Sequence, residues 1–220
     1  MRMRFKPYAK AELEAAEFCV NEPIALRAKW HSSFKNSDAP LHLELGCGKG
    51  GFIAELASRN ADINYIGIDI TDKVLVLAKR KIEAIYEQKH MDIDNVKILS
   101  FNIERIAEMM APTDTVQRIY INFCNPWNRK SAHKKHRLTY PKQLVSYLEF
   151  LAQDGEIYFK CDDEGLFDDS VEYFAKAGLE ISFITRDLHK DEPTWNIRTE
   201  HEEMFSSEGI KIKALIAKRA

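Results

Sequence analysis

Apolar and polar positions change their period repeatedly along this chain, and the changes mark the elements. Leu41-His-Leu-Glu-Leu45 alternates every second residue and runs into a glycine cluster, which predicts a strand, whereas Phe52 to Ser58 has helical spacing. The same reading gives strands at Ile63 to Ile68, Val96 to Phe101 and Val116 to Phe123, separated by helices at Asp72 to Tyr86 and Ile103 to Met110. Beyond these, Tyr140 to Leu151 is predicted helical, and Glu156 to Cys161 is a strand after an Asp154-Gly155 turn. Leu166 to Ala177 is a helix closed by Gly178, and Leu179 to Leu188 and Ile210 to Ala217 are two further strands. Ahead of the first strand, Ala11 to Val20 and Pro23 to Phe34 read as short helices, the second opened by proline. Strands alternating with helices predict an α/β fold with a doubly wound, mostly parallel sheet of seven strands, its ligands held at the carboxyl ends of the strands.

At 220 residues, 45% of them hydrophobic, the chain suits one buried core, and we read 1–40 as a helical N-terminal extension and 41–220 as the α/β domain. The N-terminus is basic, but no apolar run has the length of a signal peptide or of a membrane span, so a cytoplasmic protein is expected. Cys19, Cys47, Cys124 and Cys161 form no closely spaced pair, and neither a disulfide framework nor a metal site is expected. Net charge is only −2, yet it is segregated. Between Thr115 and Ser146 there is no acidic residue, while Arg118, Arg129, Lys130, Lys134, Lys135, Arg137 and Lys142 are basic; Glu149 to Glu172 then holds nine acids against the single Lys160. Such a run is either a solvated face or a surface that meets a polyanion, with Lys134, Lys135 and Arg137 as candidate phosphate contacts.

The sharpest local signal is Glu44-Leu-Gly-Cys-Gly-Lys-Gly-Gly51, between a strand and a helix. Gly46, Gly48 and Gly50 allow a tight turn with close approach of backbone to a ligand, although the spacing also satisfies the dinucleotide fingerprint. Asp69, ending the second strand, suits the hydroxyls of a ribose in either case. Glu44 discriminates: a carboxylate before the glycine turn opposes a pyrophosphate but suits the cationic amino-acid end of S-adenosylmethionine. Asn102, ending the third strand, is a candidate for the adenine edge or an ordinary helix cap. At the end of the fourth strand, Asn125-Pro126-Trp127 faces the methyl donor across the expected cleft. Trp127 there either stacks on a base or packs the loop to the core. His133 and His136 read as surface or RNA-facing residues.

The chain resembles the bacterial tRNA (guanine-N7)-methyltransferase family, a class I methyltransferase family. The resemblance rests on Asn125-Pro126-Trp127, the basic run from Arg129 through Leu138, Thr199-Glu-His-Glu202, and the strand-end Lys160-Cys-Asp162 and Gly165-Leu166-Phe167, over Leu41 to about Ile210. It implies a Rossmann-like fold and S-adenosylmethionine as cofactor, with Glu44, Asp69, Asn102 and Asn125 as cofactor contacts. It implies tRNA as partner, methylated at N7 of a guanine in the variable loop, with Arg129, Asp162, Thr199 and Glu202 as substrate contacts and Asn125 as the catalytic candidate. Apart from the resemblance, Thr199 and Glu202 form a helix capping box. The sequence departs from the family at Asn125 in place of Asp, Cys124 in place of Ser and Asn128 in place of Pro. Three alternatives stay open: a methyltransferase of similar fold with another substrate, a tRNA-binding protein without turnover, and a nicotinamide oxidoreductase. Monomer and homodimer are both compatible with the sequence.

Overall fold

The computed structural model describes residues 8–220; the basic segment 1–7 lies outside the described residues. Among the described residues the strands are β1 (Cys19–Val20), β2 (Leu41–Leu45), β3 (Asn64–Asp69), β4 (Val96–Ser100), β5 (Val116–Asn122), β6 (Leu151–Cys161), β7 (Leu179–Thr185) and β8 (Lys213–Arg219). The helices are α1 (Ala9–Glu14), α2 (Gly51–Arg59), α3 (Asp72–Gln88), α4 (Pro141–Leu148), α5 (Glu164–Lys176) and α6 (Glu200–Ser207). They build one sheet in the order β1-β4-β3-β2-β5-β6-β8-β7, parallel except for β8, which runs antiparallel to β6 and β7. Among the described residues the sheet therefore holds eight strands rather than seven. The addition is β1, paired in parallel with β4 through Cys19 and Val20. Strand order reverses direction at β2, which pairs with β3 on one side and β5 on the other, and this places the ligand cleft above those carboxyl ends.

Helices cover both faces. Leu43, Ile66, Ile119 and Phe159 are buried in one layer with α4 and α5, and Ile53, Leu75, Ile82 and Tyr86 are buried in the other with α1, α2 and α3. No helix among the described residues is long and apolar enough to cross a membrane.

The differences from the pattern-based elements have physical causes. The helix expected to Val20 stops at Glu14, and Pro23 to Phe34 forms two short 3-10 turns, Pro23–Leu26 and His31–Ser33, instead of a helix. The buried Asp114 accepts from the backbone N–H groups of Ala28 (2.7 Å), Trp30 (3.0 Å) and Ala111 (2.9 Å), taking up donors that a helix would have used. It thereby pins Trp30, fully buried, with its indole N–H donating to Met109 O (2.8 Å). Ile103–Glu108 is a 3-10 turn, again shorter than expected. Asp154-Gly155 is no turn between elements. β6 begins at Leu151 and runs through it, with a register shift opposite Val116 and Arg118. A Cβ on Gly155 would lie 2.8 Å from the Leu151 side chain, so glycine lets the bulge close.

Candidate active site

The turn after β2 is set by backbone bonds. Gly46 and Cys47 donate their N–H groups to Ile68 O (2.8 and 3.0 Å), and Gly50, at φ 74°, packs so closely on α3 that a Cβ would meet Ala78 Cβ at 2.6 Å. Only glycine combines that backbone with that approach. The turn is thereby held against β3 and leaves a cleft of about 360 Å³ above β2, β3 and β5, within the range of small-molecule sites. Glu44, Gly46, Gly48, Gly50, Asp69, Asn102, Asn125, Trp127 and Thr199 all line it.

Glu44 is 4% exposed on the cleft wall. Its Oε1 accepts from Asn122 Nδ2 (3.2 Å), while Oε2 and the Asn122 side-chain carbonyl oxygen are buried with no hydrogen-bond partner among the described residues. Burial pushes its pKa up to about 8, against the hydrogen bond from Asn122 and the charge of Lys160. Two buried acceptors on hydrogen-bonded side chains, with no partner among the described residues, fit a cationic donor, and the amino-acid ammonium of S-adenosylmethionine is of that type. Asp69 is fixed differently: Oδ2 accepts from Gly48 N–H (3.0 Å) and Oδ1 from Thr71 N–H (3.1 Å). Burial raises its pKa against these bonds, and the remaining lone pairs are available to ribose hydroxyls. Asn102 caps the following 3-10 turn through Glu104 N–H (3.0 Å) while also lining the cleft.

The opposite wall is the loop after β5. Phe123 (φ 51°) and Trp127 (φ 49°) both adopt left-handed backbone, which costs about 1–3 kcal/mol for such residues. Asn125 Oδ1 accepts from Trp127 N–H (3.0 Å) and closes the loop on itself. Trp127 is 37% exposed, with its ring against His136 (5.3 Å) and His133 (6.1 Å), so it packs on the loop rather than into the core.

The basic run divides. Arg129, Lys130 and Lys135 are exposed, but Arg137 is 1% exposed and is not a surface phosphate contact. Its guanidinium donates to Pro126 O (2.7 Å), Asn128 Oδ1 (2.9 Å) and Asp169 (2.5 Å), tying the loop to α5. Lys134 shares Asp169 (2.6 Å). Neither Asp162, half-buried beyond β6, nor Glu202 lines the cleft. Thr199 and Glu202 form the capping box of α6, and fully buried Glu202 also bonds Lys160 Nζ (2.6 Å), His189 Nε2 (2.7 Å) and Asn196 Nδ2 (2.7 Å). Burial raises the Glu202 pKa, but Lys160 and these hydrogen bonds outweigh it and hold the carboxyl below its usual range. His189, Glu192 and Glu202 bring metal-ligand types together, yet Lys160 and Arg198 pair with the two carboxylates.

A family model described as "Putative methyltransferase" matches residues 38–215. A Clostridium beijerinckii protein named tRNA (guanine-N(7)-)-methyltransferase is 56% identical over 217 residues, covering 99% of this chain and 98% of that relative. A Clostridium perfringens protein of the same name is 54% identical over 219 residues and covers both chains completely. This chain belongs to the tRNA (guanine-N7)-methyltransferase family. Among solved structures, an antibiotic-related methyltransferase superposes with a TM-score of 0.59 at 15% identity, covering 82% of this chain and 88% of that one. The 16S rRNA methyltransferase KamB gives 0.57 at 12% identity, over 82% and 88%. These two share the Rossmann-like class I fold.

Asn128 has a structural duty: its side-chain carbonyl oxygen accepts from Arg137 and its Nδ2 donates to Asp163 (2.7 Å). The local sequence pattern does not single out Asn122 as the partner of Glu44, Lys49 and Glu200 on the rim, or His201, which stacks on Phe123 (6.1 Å) in the cleft. The signal for Asn122 was its place at the end of β5, beside the strand that carries Glu44.

The raised Glu44 pKa has a measurable consequence. Below about pH 8 the free protein holds this carboxyl protonated, whereas a bound cation favours the carboxylate. Cofactor affinity should therefore rise with pH by up to about tenfold per unit below that value, with a proton released on binding, and fall again once the cofactor's own amino group loses its charge. Stability has the opposite sign. The folded state retains a proton that the unfolded chain loses near 4.5, so the Glu44 contribution to stability falls as pH rises from there to about 8. Glu44→Gln should flatten both profiles and weaken cofactor binding by about 1.5–3 kcal/mol. Calorimetry at several pH values reads this out, and an unchanged pH profile in Glu44→Gln would remove Glu44 from the cofactor site.

Proposed function

We propose that the protein transfers the methyl group of S-adenosyl-L-methionine to N7 of a guanine in tRNA, in the variable loop. The observation that carries the chemistry is the buried Glu44 oxygen with no partner among the described residues, on a side chain that lines a cleft whose other wall is the Asn125 loop. Glu44 and Asn122 would hold the cofactor's ammonium, Asp69 its ribose, and Asn102 its adenine edge. When bound, the sulfonium supplies a methyl group already activated for transfer.

Guanine N7 has an in-plane lone pair and no proton to remove at neutral pH, so the protein's part is alignment rather than general base catalysis. The closed Asn125 loop, tied down by Arg137, fixes one wall against the glycine turn on the other. Trp127 and His136 offer an aromatic and polar surface for a base brought out of the folded tRNA. As N7 is alkylated the purine becomes cationic, and oxygen acceptors on the cleft wall favour that charge. Exposed Arg129, Lys130 and Lys135 lie beyond this wall and supply phosphate contacts that position the RNA. Such an activity places the protein with the tRNA pool, in the cytoplasm. Incubation with S-adenosylmethionine and unmodified tRNA, followed by digestion to nucleosides, should yield N7-methylguanosine. Its absence from every tRNA, or a different methylated nucleoside, would overturn this reading.

A further inference from the structure

The first turn of α6 is tied across the rim of the cleft. The Glu200 carboxylate receives the Lys49 ammonium from the glycine turn (3.4 Å) and the Lys81 ammonium from α3. The groups meet over Gly51, where an added Cβ would lie 3.4 Å from both Glu200 Oε1 and Lys81 Nζ. Burial, reinforced by the charge of Lys49, holds the Lys81 pKa below its usual value. The side chains of Lys49, Glu200 and Lys81 are 54%, 41% and 34% exposed, so the cluster opens to solvent, and Lys49 and Glu200 line the cleft.

We propose that Lys49 and Lys81 form a second RNA phosphate site, across the cleft from Arg129, Lys130 and Lys135, which Glu200 occupies as an internal stand-in until a phosphodiester displaces it. The proposal rests on tRNA being the substrate. A nucleotide drawn into the cleft has backbone on either side of it, and the strand must leave over both rims. A phosphodiester matches the carboxylate it replaces: one negative charge, and two oxygens able to face two ammonium groups. Exchange is cheap, because an exposed ion pair contributes little and water already reaches it. The cofactor's carboxylate is the weaker fit, since Lys81 stands outside the lining of the cleft. Thr199 and Glu202 stay in place during the exchange, because the capping box and the Lys160 pair do not involve Glu200.

The test compares unmodified tRNA binding by the full chain over a range of salt concentrations for the unmutated protein, Lys49→Ala/Lys81→Ala, Glu200→Gln and the triple variant. Cofactor affinity and thermal melting are measured in parallel. The double variant should bind tRNA about tenfold more weakly, with a slope of log K against log salt smaller by about 0.7–0.9 for the phosphate lost, and with cofactor affinity and melting unchanged. Glu200→Gln should tighten tRNA binding by up to about fivefold, and that gain should vanish in the triple variant. Unchanged tRNA affinity and slope in a folded double variant would overturn the proposal while leaving the tRNA reading intact. A loss confined to cofactor binding would also overturn it, assigning the lysines to the cofactor's carboxylate. Failure of the unmutated protein to bind tRNA would sink the substrate reading itself.

Discussion

Glu202→Ala should lower the unfolding free energy by about 3–5 kcal/mol, the cost of stranding one member of a buried ion pair. Glu202 is fully buried and Lys160 is 3% exposed, so among the described residues the ammonium left behind would keep only Asn196 Oδ1 (2.8 Å) and Ile197 O (3.0 Å) as acceptors. The same substitution removes one half of the α6 capping box, whose Thr199 N–H donates to Glu202 Oε2. Glu202→Gln should fall between, because the amide keeps hydrogen bonds and loses the charge. Lys160→Met/Glu202→Leu should recover part of the loss, since an apolar pair leaves no charge to solvate. Urea denaturation followed by circular dichroism measures all three. A loss under about 1 kcal/mol for Glu202→Ala would mean that water compensates Lys160 and that the network is not closed. The pH dependence carries the same sign: the Glu202 contribution is present above its unfolded value near 4.5 and is lost as pH falls through its lower folded value. Activity lost in a Glu202 variant therefore has to be separated from folding before it is assigned to substrate contact.

Asn125→Ala should reduce the single-turnover methylation rate by about 10²–10³ with tRNA still bound, the scale of removing one preorganised polar group from a reacting centre. The structure adds a reason beyond contact with a ligand. Asn125 Oδ1 holds Trp127 N–H, and the loop keeps two residues in left-handed backbone, so alanine releases both the closure and the placement of that wall. Asn125→Asp should remain active at an equal or higher rate. One carboxylate oxygen can keep the bond to Trp127, and the other brings a full charge toward the cationic purine. The amide of the native residue costs no general base, because N7 needs none. Saturating both tRNA and cofactor isolates the chemical step. A fully active alanine variant would reject the role, and no product from the unmutated protein would favour a tRNA-binding protein without turnover.

Much of the cleft was legible because its determinants are local. A strand period ending in Glu44, glycines at fixed offsets and an acid ending the next strand each dictate backbone geometry within a few residues, and the fold brings the strand ends together. The alternation of periods likewise fixed the core of the sheet, although β1 escaped notice because two residues carry no period. The role of Arg137 is hidden for the complementary reason. Along the chain it is one more cation in a basic run, and only Asp169 and Asn128 in the folded protein distinguish it from exposed Arg129 and Lys135.

What the sequence by itself determined, then, is the α/β alternation, the glycine turn with Glu44 and Asp69, and the place of Asn125 and Thr199 at the cleft, since backbone conformation and side-chain period are set by near neighbours. What only the tertiary structure decided is which polar groups are spent inside. Asp114 takes the Trp30 N–H from 84 residues away, Lys160 claims Glu202 across 42 residues, and Glu200 reaches Lys49 across 151. Such partners are chosen by packing, because a buried charge or hydrogen-bonding group must be satisfied by whatever the fold sets beside it, and nothing in the local pattern specifies that neighbour.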